Sequence, residues 1–365
     1  MPAFSLSTVR RSDAPPALQA LVPEELVDIA GGIDIAEARK LVSLVHRLGA
    51  LPKHAPAGVR RGSFEHARSA TRLPSLATVG RTPSGVDPFV KYTLALDGGG
   101  AVEAVRIPLE REGRMTVCVS SQVGCALACR FCATGRMGLM RNLEDWEIVE
   151  QVRVVRADLP AGARIHGVVF QGMGEPLANL RNVARAARVF SDPSAQAIDA
   201  RNITICTAGL PAGIRALAEA LPNVRLALSI GSARPGRRRA LMPIDEAHPL
   251  EEAIAAAGEH ARTTGLAPLF AYTLLAGHND SPDDARALAA LVLDFFARFA
   301  RRPRLSLLAY NAIGGDDPFV RTEPHVEEQF RQTLIDCGVI PTRRYSGGSD
   351  VGAACGQLAT KLSDA

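Results

Sequence analysis

A short cysteine-rich loop decides the fold of this chain. It reads Val123-Gly124-Cys125-Ala126-Leu127-Ala128-Cys129-Arg130-Phe131-Cys132. The C-x-x-x-C-x-x-C spacing lets three thiolates converge on one metal centre. Cysteine thiolates are the usual ligands of iron–sulfur clusters, and three ligands leave one iron of a four-iron cluster open. An open coordination position is where a metal site does chemistry, and S-adenosylmethionine (SAM), a carrier of radical chemistry, is an obvious fourth ligand.

Two other uses of these cysteines are less well supported by the sequence. A closed zinc site needs a fourth cysteine or histidine at finger-like spacing, and the chain has no second C-x-x-C or H-x-x-x-H partner. A disulfide set belongs to secreted proteins. The opening residues lack the apolar core of a signal peptide, so we expect a cytoplasmic protein whose loop cysteines bind metal.

Composition places the chain among ordinary globular proteins. Its 365 residues predict one large domain, or a large and a small one, and 47% hydrophobic residues are ample for a core. The net charge of +4 indicates little about partners. The apolar helix at 287–299 is interrupted by Asp294 and Arg298, which favours a core helix over a membrane span.

Arginine is concentrated in a few short runs. Each run by itself is typical of a solvated surface turn, and together they could supply phosphate contacts to RNA. The runs are Arg60-Arg61, Arg234 to Arg239, Arg301 to Arg304 and Arg343-Arg344.

The first part of the chain, residues 1–95, is predicted to be a small helical accessory domain. Short helices are expected at 23–30, 35–48 and 62–69, and prolines separate them. Two apolar runs, 92–96 and 101–107, flank Asp97-Gly98-Gly99-Gly100 and predict a hairpin with a glycine turn.

From residue 114 onward, strand and helix patterns alternate regularly. The predicted strands are 115–119, 165–171, 202–207, 224–230, 269–275 and 305–310, and the predicted helices are 145–157, 182–190, 211–220, 250–263, 282–299 and 327–337. Six strand–helix units predict an α/β fold with right-handed crossovers, a partial (β/α)6 TIM-like barrel. Chemistry in such barrels lies at the carboxyl ends of the strands. The cysteine loop and the Gly172 to Pro176 loop follow the first two strands, so both lie at that face.

Several longer motifs carry a resemblance to a known family. They are Cys118-Val119-Ser120-Ser121-Gln122-Val123-Gly124-Cys125, Phe131-Cys132-Ala133-Thr134-Gly135, Arg141-Asn142-Leu143, Gly172-Met173-Gly174-Glu175-Pro176 and Ala354-Cys355-Gly356-Gln357-Leu358. In this order the set resembles the RlmN/Cfr family of radical-SAM RNA methyltransferases. The resemblance covers about residues 100 to 360. It implies a radical-SAM core at 96–365 that includes the hairpin strand and a C-terminal methyl-carrier segment.

The resemblance implies two cofactor sites. Cys125, Cys129 and Cys132 would hold a 4Fe–4S cluster. Residues matching the family's SAM-binding positions are Gly174, Glu175, Cys206, Ser229, Ile230, Gly231 and Asn311. Two of these positions depart from the family pattern. Cys206 stands where the family has a serine, and Ile230-Gly231 follow Ser229 where the family has a leucine with histidine or asparagine.

The resemblance also implies three catalytic residues. Cys355 matches the cysteine that is methylated and carries the methyl group to RNA. Cys118 matches the cysteine that resolves the protein–RNA adduct through a transient disulfide, and Glu103 matches the proton acceptor. From the residues alone, Cys118 could be a core cysteine, Cys355 could begin a small-residue helix, and Glu103 could be an ordinary exposed strand carboxylate. Cys337 is expected to pack at a helix end.

The expected activity is methylation of an adenine ring carbon, C2 or C8, in ribosomal RNA, with transfer RNA as a second candidate. An electron donor such as flavodoxin and a monomeric state are expected with it. One alternative keeps the radical chemistry but acts on a peptide or a small molecule. The other is a non-enzymatic RNA-binding module with an iron–sulfur or zinc site, and neither alternative needs both Cys118 and Cys355.

Overall fold

The computed structural model describes residues 14–359. Its helices are α1 Pro23–Ala30, α2 Ile35–Leu48, α3 Arg61–Ala70, α4 Ala133–Arg136, α5 Asp145–Ala157, α6 Leu180–Ser191, α7 Pro211–Ala220, α8 Arg238–Leu241, α9 Leu250–Thr264, α10 Pro282–Phe299 and α11 Pro324–Asp336. Its strands are β1 Ala77–Pro83, β2 Val90–Ala95, β3 Ala101–Pro108, β4 Arg114–Val119, β5 Gln122–Cys125, β6 Gly138–Asn142, β7 Arg164–Phe170, β8 Ile203–Thr207, β9 Arg225–Ser229, β10 Leu269–Leu274, β11 Arg304–Ala309 and β12 Thr342–Arg344.

One ten-stranded sheet forms the body of the protein, in the order β1-β2-β3-β4-β7-β8-β9-β10-β11-β12. Seven neighbouring strands of this sheet run parallel to one another, namely β4, β7, β8, β9, β10, β11 and β12. This confirms the predicted α/β barrel, and the very short β12 adds a seventh parallel strand that the sequence did not predict. No helix within residues 14–359 is long and apolar enough to cross a membrane.

Three antiparallel strands precede the barrel. Strand β3 pairs with β2 on one side and with β4 on the other, so the predicted hairpin extends the barrel sheet. The predicted division between residues 95 and 96 passes between two paired strands, and it remains a prediction. Strand β1 was missed because its side chains are almost all exposed and show no apolar alternation.

Helices α1 to α3 lie where the sequence predicted them. Helix α2 shows the local cause, because the Asp34 side chain accepts a hydrogen bond from the Glu37 backbone N–H at 2.9 Å and the Glu37 side chain accepts one from the Asp34 backbone N–H at 3.3 Å. The helix ends at Gly49, whose φ of +75° suits glycine. An ion pair of 2.9 Å between Glu25 and Arg185 connects α1 to α6 of the barrel.

Candidate active site

The cysteine loop is held by a small hairpin above the barrel. Strand β5 pairs with β6 in a separate two-stranded sheet. The hairpin depends on Gly124, whose φ is +75° and where an added Cβ would lie 1.8 Å from the carbonyl oxygen of Gly138. Cys132 precedes α4, and its N–H donates to the Cys129 carbonyl at 3.2 Å. The loop is therefore fixed by its backbone.

The three cysteines line one cavity at the carboxyl ends of the strands. We call this space the loop cavity. Its wall includes Cys125, Cys129, Cys132, Gly174, Glu175, Cys206, Ser229, Met242 and Cys355. The cysteine loop and the second-strand loop thus share one face of the barrel, as the sequence predicted.

The three thiols of the loop face one shared space. Within residues 14–359, no three cysteine, histidine, aspartate or glutamate side chains are arranged to hold one metal ion. A zinc site would bring each sulfur to about 2.3 Å from one ion. Here the thiols face a shared space, and a cluster fills such a space because its cysteines bind different irons.

Burial is the main influence on the pKa values of the three loop thiols. The pKa of Cys125 is raised to about 11, chiefly by burial and also by nearby Glu175 and Cys132, against a backbone hydrogen bond from Leu127. The pKa of Cys129 and of Cys132 is raised, again chiefly by burial. Thiols in such surroundings become thiolates when a cationic metal centre binds them. The residues present therefore fit the iron–sulfur cluster that the spacing predicts.

Gly174 and Glu175 form the wall opposite the cysteines. Gly174 has a φ of +97°, and an added Cβ would lie 2.5 Å from the Gln122 side chain. The buried Glu175 carboxylate accepts hydrogen bonds from the N–H groups of Leu177, at 3.0 Å, and Ala208, at 2.9 Å. Burial raises the pKa of Glu175 and these hydrogen bonds oppose the rise. Its position is therefore fixed between the ends of β7 and β8.

Strand alternation brings further site residues into the barrel. Because side chains alternate along a strand, Cys118 on β4, Cys206 on β8 and Ser229 on β9 all face the interior. Cys206 and Ser229 line the loop cavity. Ile230 and Gly231 do not line it: Ile230 is fully buried, and an added Cβ at Gly231 would lie 2.6 Å from the Met242 sulfur. Their predicted SAM contact remains a prediction.

Cys355 is held by its backbone over the barrel. Its N–H donates to Ser346 Oγ at 2.9 Å, and Ser346 Oγ also accepts from Asn311 Nδ2 at 3.1 Å. The next residue, Gly356, accepts a hydrogen bond from the Ala133 N–H at 2.7 Å. The segment around Cys355 is thus connected both to the end of β11 and to the cysteine loop.

Cys118 and Cys355 meet in a second, smaller space. This inner cavity is lined by both cysteines together with Gln171 and Arg344, among others. Cys355 also lines the loop cavity. Cys118 and Cys355 are both free thiols in the structure, so the predicted transient disulfide is not formed in this state.

Glu103 lies on β3 and is only 1% exposed. Its interpretation as an exposed strand carboxylate is therefore wrong. One oxygen pairs with Lys91 Nζ at 3.0 Å, and the other accepts from the Ala359 N–H at 2.9 Å. Glu103 is not among the residues that line the inner cavity. It contacts the segment that follows Cys355, and its predicted role as proton acceptor remains a prediction.

Two arginines predicted to lie in surface turns belong to the site instead. Arg238 is 2% exposed. It donates to the carbonyl oxygens of Ala208 and Ile230, and it pairs with Asp245 at 2.8 Å. It thereby joins the carboxyl ends of β8 and β9. Arg344 points into the barrel, and the surface interpretation is wrong for both residues because a turn composition does not show which side chain faces inward.

Comparison with known proteins identifies the family. The radical SAM superfamily model matches residues 119–292. A probable RNA methyltransferase of Sorangium cellulosum is 60% identical, over 94% of this chain and 92% of the relative. A probable dual-specificity RNA methyltransferase RlmN of Moorella thermoacetica is 36% identical, over 93% and 96%.

A solved structure agrees with these relatives. The crystal structure of a radical SAM methyltransferase from Sphaerobacter thermophilus matches with a TM-score of 0.82 and 34% identity, over 94% of this chain and 99% of that one. The superfamily match includes the cysteine loop and the Gly174–Glu175 wall. On the sequence motifs, the barrel and these relatives together, the chain is an enzyme and belongs to the RlmN/Cfr family of radical-SAM RNA methyltransferases.

Proposed function

We propose that this enzyme methylates an adenine ring carbon, C2 or C8, in ribosomal RNA, with transfer RNA as a second substrate, and that Cys355 carries the methyl group. The observation that supports this most directly is the position of Cys355, which lines both the loop cavity and the inner cavity. A carrier must accept its methyl group beside SAM and meet the resolving thiol afterwards. Relatives named dual-specificity RNA methyltransferases support RNA as the substrate.

The residues that line the two cavities would have different roles. Cys125, Cys129 and Cys132 would hold the 4Fe–4S cluster, and Gly174, Glu175, Cys206 and Ser229 would bound the SAM site. When bound, the cluster and SAM supply the methyl group and the radical that activates it. A one-electron donor such as flavodoxin and a monomeric enzyme are part of the proposal.

Cysteine suits the role of carrier because its thiolate is a strong nucleophile. Once the carbon has joined the adenine, Cys118 would attack the Cys355 sulfur and release the RNA, with a disulfide left behind. Glu103 would take the ring proton. Its ion pair with Lys91 would have to open for that step.

The first experiment is the mass of the Cys355 peptide after anaerobic expression with an assembled cluster. We expect a methyl group on Cys355. An unmodified Cys355 in protein that still cleaves SAM would favour a peptide or small-molecule substrate. Bound RNA and metal without SAM cleavage would favour a non-enzymatic binding module.

Variants of the two cysteines separate their roles. Cys355→Ala should abolish methylated RNA and leave the iron content unchanged, whereas Cys118→Ala should leave protein covalently attached to RNA. Gel electrophoresis under denaturing conditions detects that adduct. If both variants release methylated RNA at the wild-type rate, the carrier mechanism is wrong.

A further inference from the structure

Arg344 ends the short strand β12 and faces the barrel interior. Its neighbour Arg343 points the other way and pairs with Glu327 of α11 at 2.7 Å. Since side chains alternate along a strand, Arg344 faces the interior and lines the inner cavity with Cys118 and Cys355. One strand thus places one guanidinium outside the barrel and one inside it.

The interior guanidinium has no carboxylate partner within residues 14–359. Its hydrogen bond goes to the neutral side-chain oxygen of Gln171, at 2.9 Å. Arginine does not lose its proton in proteins, and the Arg344 side chain is half-buried, so its positive charge acts on the groups beside it. The groups that face Arg344 and can become anionic are the thiols of Cys118, Cys206 and Cys355.

Cys118 is the thiol whose anionic form most needs a nearby positive charge. Burial raises its pKa well above the usual range, the nearby sulfurs of Cys355 and Cys206 raise it further, and Arg344 lowers it. The Gln171 backbone also hydrogen-bonds the Cys118 sulfur and lowers its pKa. Gln171 therefore contacts Cys118 through its backbone and Arg344 through its side chain.

From this geometry we infer that Arg344 is a positioning residue that stabilises the thiolate of Cys118 for its attack on Cys355. The inference rests on the proposed function, because the attack is the resolving step of that reaction. The Cys118 thiol gives its proton to water, and its sulfur forms a bond to the Cys355 sulfur. The bond from the Cys355 sulfur to the transferred carbon breaks, its electron pair goes to that carbon on the RNA, and the carbon takes a proton from water to complete the methyl group.

The test measures the reactivity of Cys118 without requiring turnover. The full-length holoenzyme is treated with methyl methanethiosulfonate, a small neutral thiol reagent, between pH 7 and 10. Mass spectrometry follows the modification of the Cys118 peptide. Only the thiolate reacts, and a cation at close range lowers a neighbouring pKa by about one unit or more. Arg344→Met should therefore slow modification about tenfold or more at each pH below the midpoint.

Two further variants make the result specific. Arg344→Lys keeps a positive charge and should restore most of the rate. Arg343→Met is the matched control, because it removes an arginine from the outer face of the same strand and should leave the rate unchanged. A variant that merely loosened the fold would expose Cys118 and raise its rate of modification. That change is opposite to the slower modification expected for Arg344→Met.

An unchanged rate and pH profile in Arg344→Met would overturn the inference. The result is separable from the test of the proposed function. If Cys355 becomes methylated and Cys118→Ala traps RNA, while Arg344→Met leaves the profile unchanged, the proposed function stands and the role of Arg344 falls. If no RNA is methylated but the rate of Cys118 depends on Arg344, the thiolate contact stands and its use in RNA release falls.

Discussion

The protein holds two groups of sulfur in different surroundings. The cluster loop, residues 123–135, carries Cys125, Cys129 and Cys132 on a backbone fixed by glycines. The inner pair, Cys118 and Cys355, lies on a barrel strand and on the segment after β12. Arg344 faces the inner pair, whereas Arg238, which lowers the pKa of Cys129, donates to backbone carbonyls and pairs with Asp245.

This difference separates two ways of handling thiolates. In the cluster loop burial raises the pKa of all three thiols, and a bound metal centre would stabilise their thiolates. At the inner pair the chain places the Arg344 guanidinium beside the thiols, where it lowers the pKa of Cys118. Variants that affect one group and spare the other test the distinction.

The largest effect is expected from loss of a cluster ligand. Cys125→Ser replaces a soft thiolate by a hydroxyl of similar size, which binds iron poorly. Iron content should fall sharply and RNA methylation should be lost, while the Cys125→Ser protein remains folded. Iron and sulfide analysis of anaerobically purified protein, with the absorbance of the cluster, measures the result.

A cysteine outside both groups provides the control for that variant. Cys337 follows α11 and packs against the core, as predicted. Cys337→Ser should keep the full iron content. A Cys125→Ser protein with the iron content of wild type would remove Cys125 from the ligand set.

A smaller, partial effect is expected from the glycine that shapes the loop. Gly124→Ala places a Cβ 1.8 Å from the Gly138 carbonyl oxygen, at a φ of +75°. The left-handed backbone costs about 1–2 kcal/mol for alanine, and strands β5 and β6 must also separate. Thermal unfolding of the holoenzyme should occur several degrees lower, and iron content should fall in part.

Gly98→Ala is the matched control. Gly98 has a φ of +83°, with nothing within 4 Å of an added Cβ. It therefore incurs only the backbone strain and should keep its iron. If the two variants lose the same stability and the same iron, the contact between β5 and β6 does not shape the cluster loop.

The sequence predicted the parts of the molecule that follow strong local rules. The six strand–helix units are long and periodic, and their strands lie within a few residues of the predicted positions. The cysteine spacing predicted a shared cavity, and the order of the loops placed both at one face. These features depend on neighbours in the chain, which a sequence displays directly.

The features that were missed depend on contacts between distant residues. Arg344 lies in a three-residue strand with the sequence Thr-Arg-Arg, which has no apolar alternation. Only the continuing alternation of helix and strand after α11 could have indicated it. Glu103 is buried because Lys91 and the backbone of Ala359 satisfy its carboxylate. Ala359 lies 256 residues along the chain from Glu103, and no local pattern records such a partner.

The smallest effect is expected at the position that departs from the family. Cys206 lines the loop cavity, and burial raises the pKa of its thiol to about 12. Cys206→Ser exchanges one neutral group for another of similar size that is a better hydrogen bonder. SAM affinity, measured by equilibrium dialysis, should change by about threefold or less, and the reagent profile of Cys118 should stay the same. A large loss of Cys118 reactivity would mean that the Cys206 thiol also affects the Cys118 thiolate. Three sulfurs, and not the inner pair alone, would then act together beside Arg344.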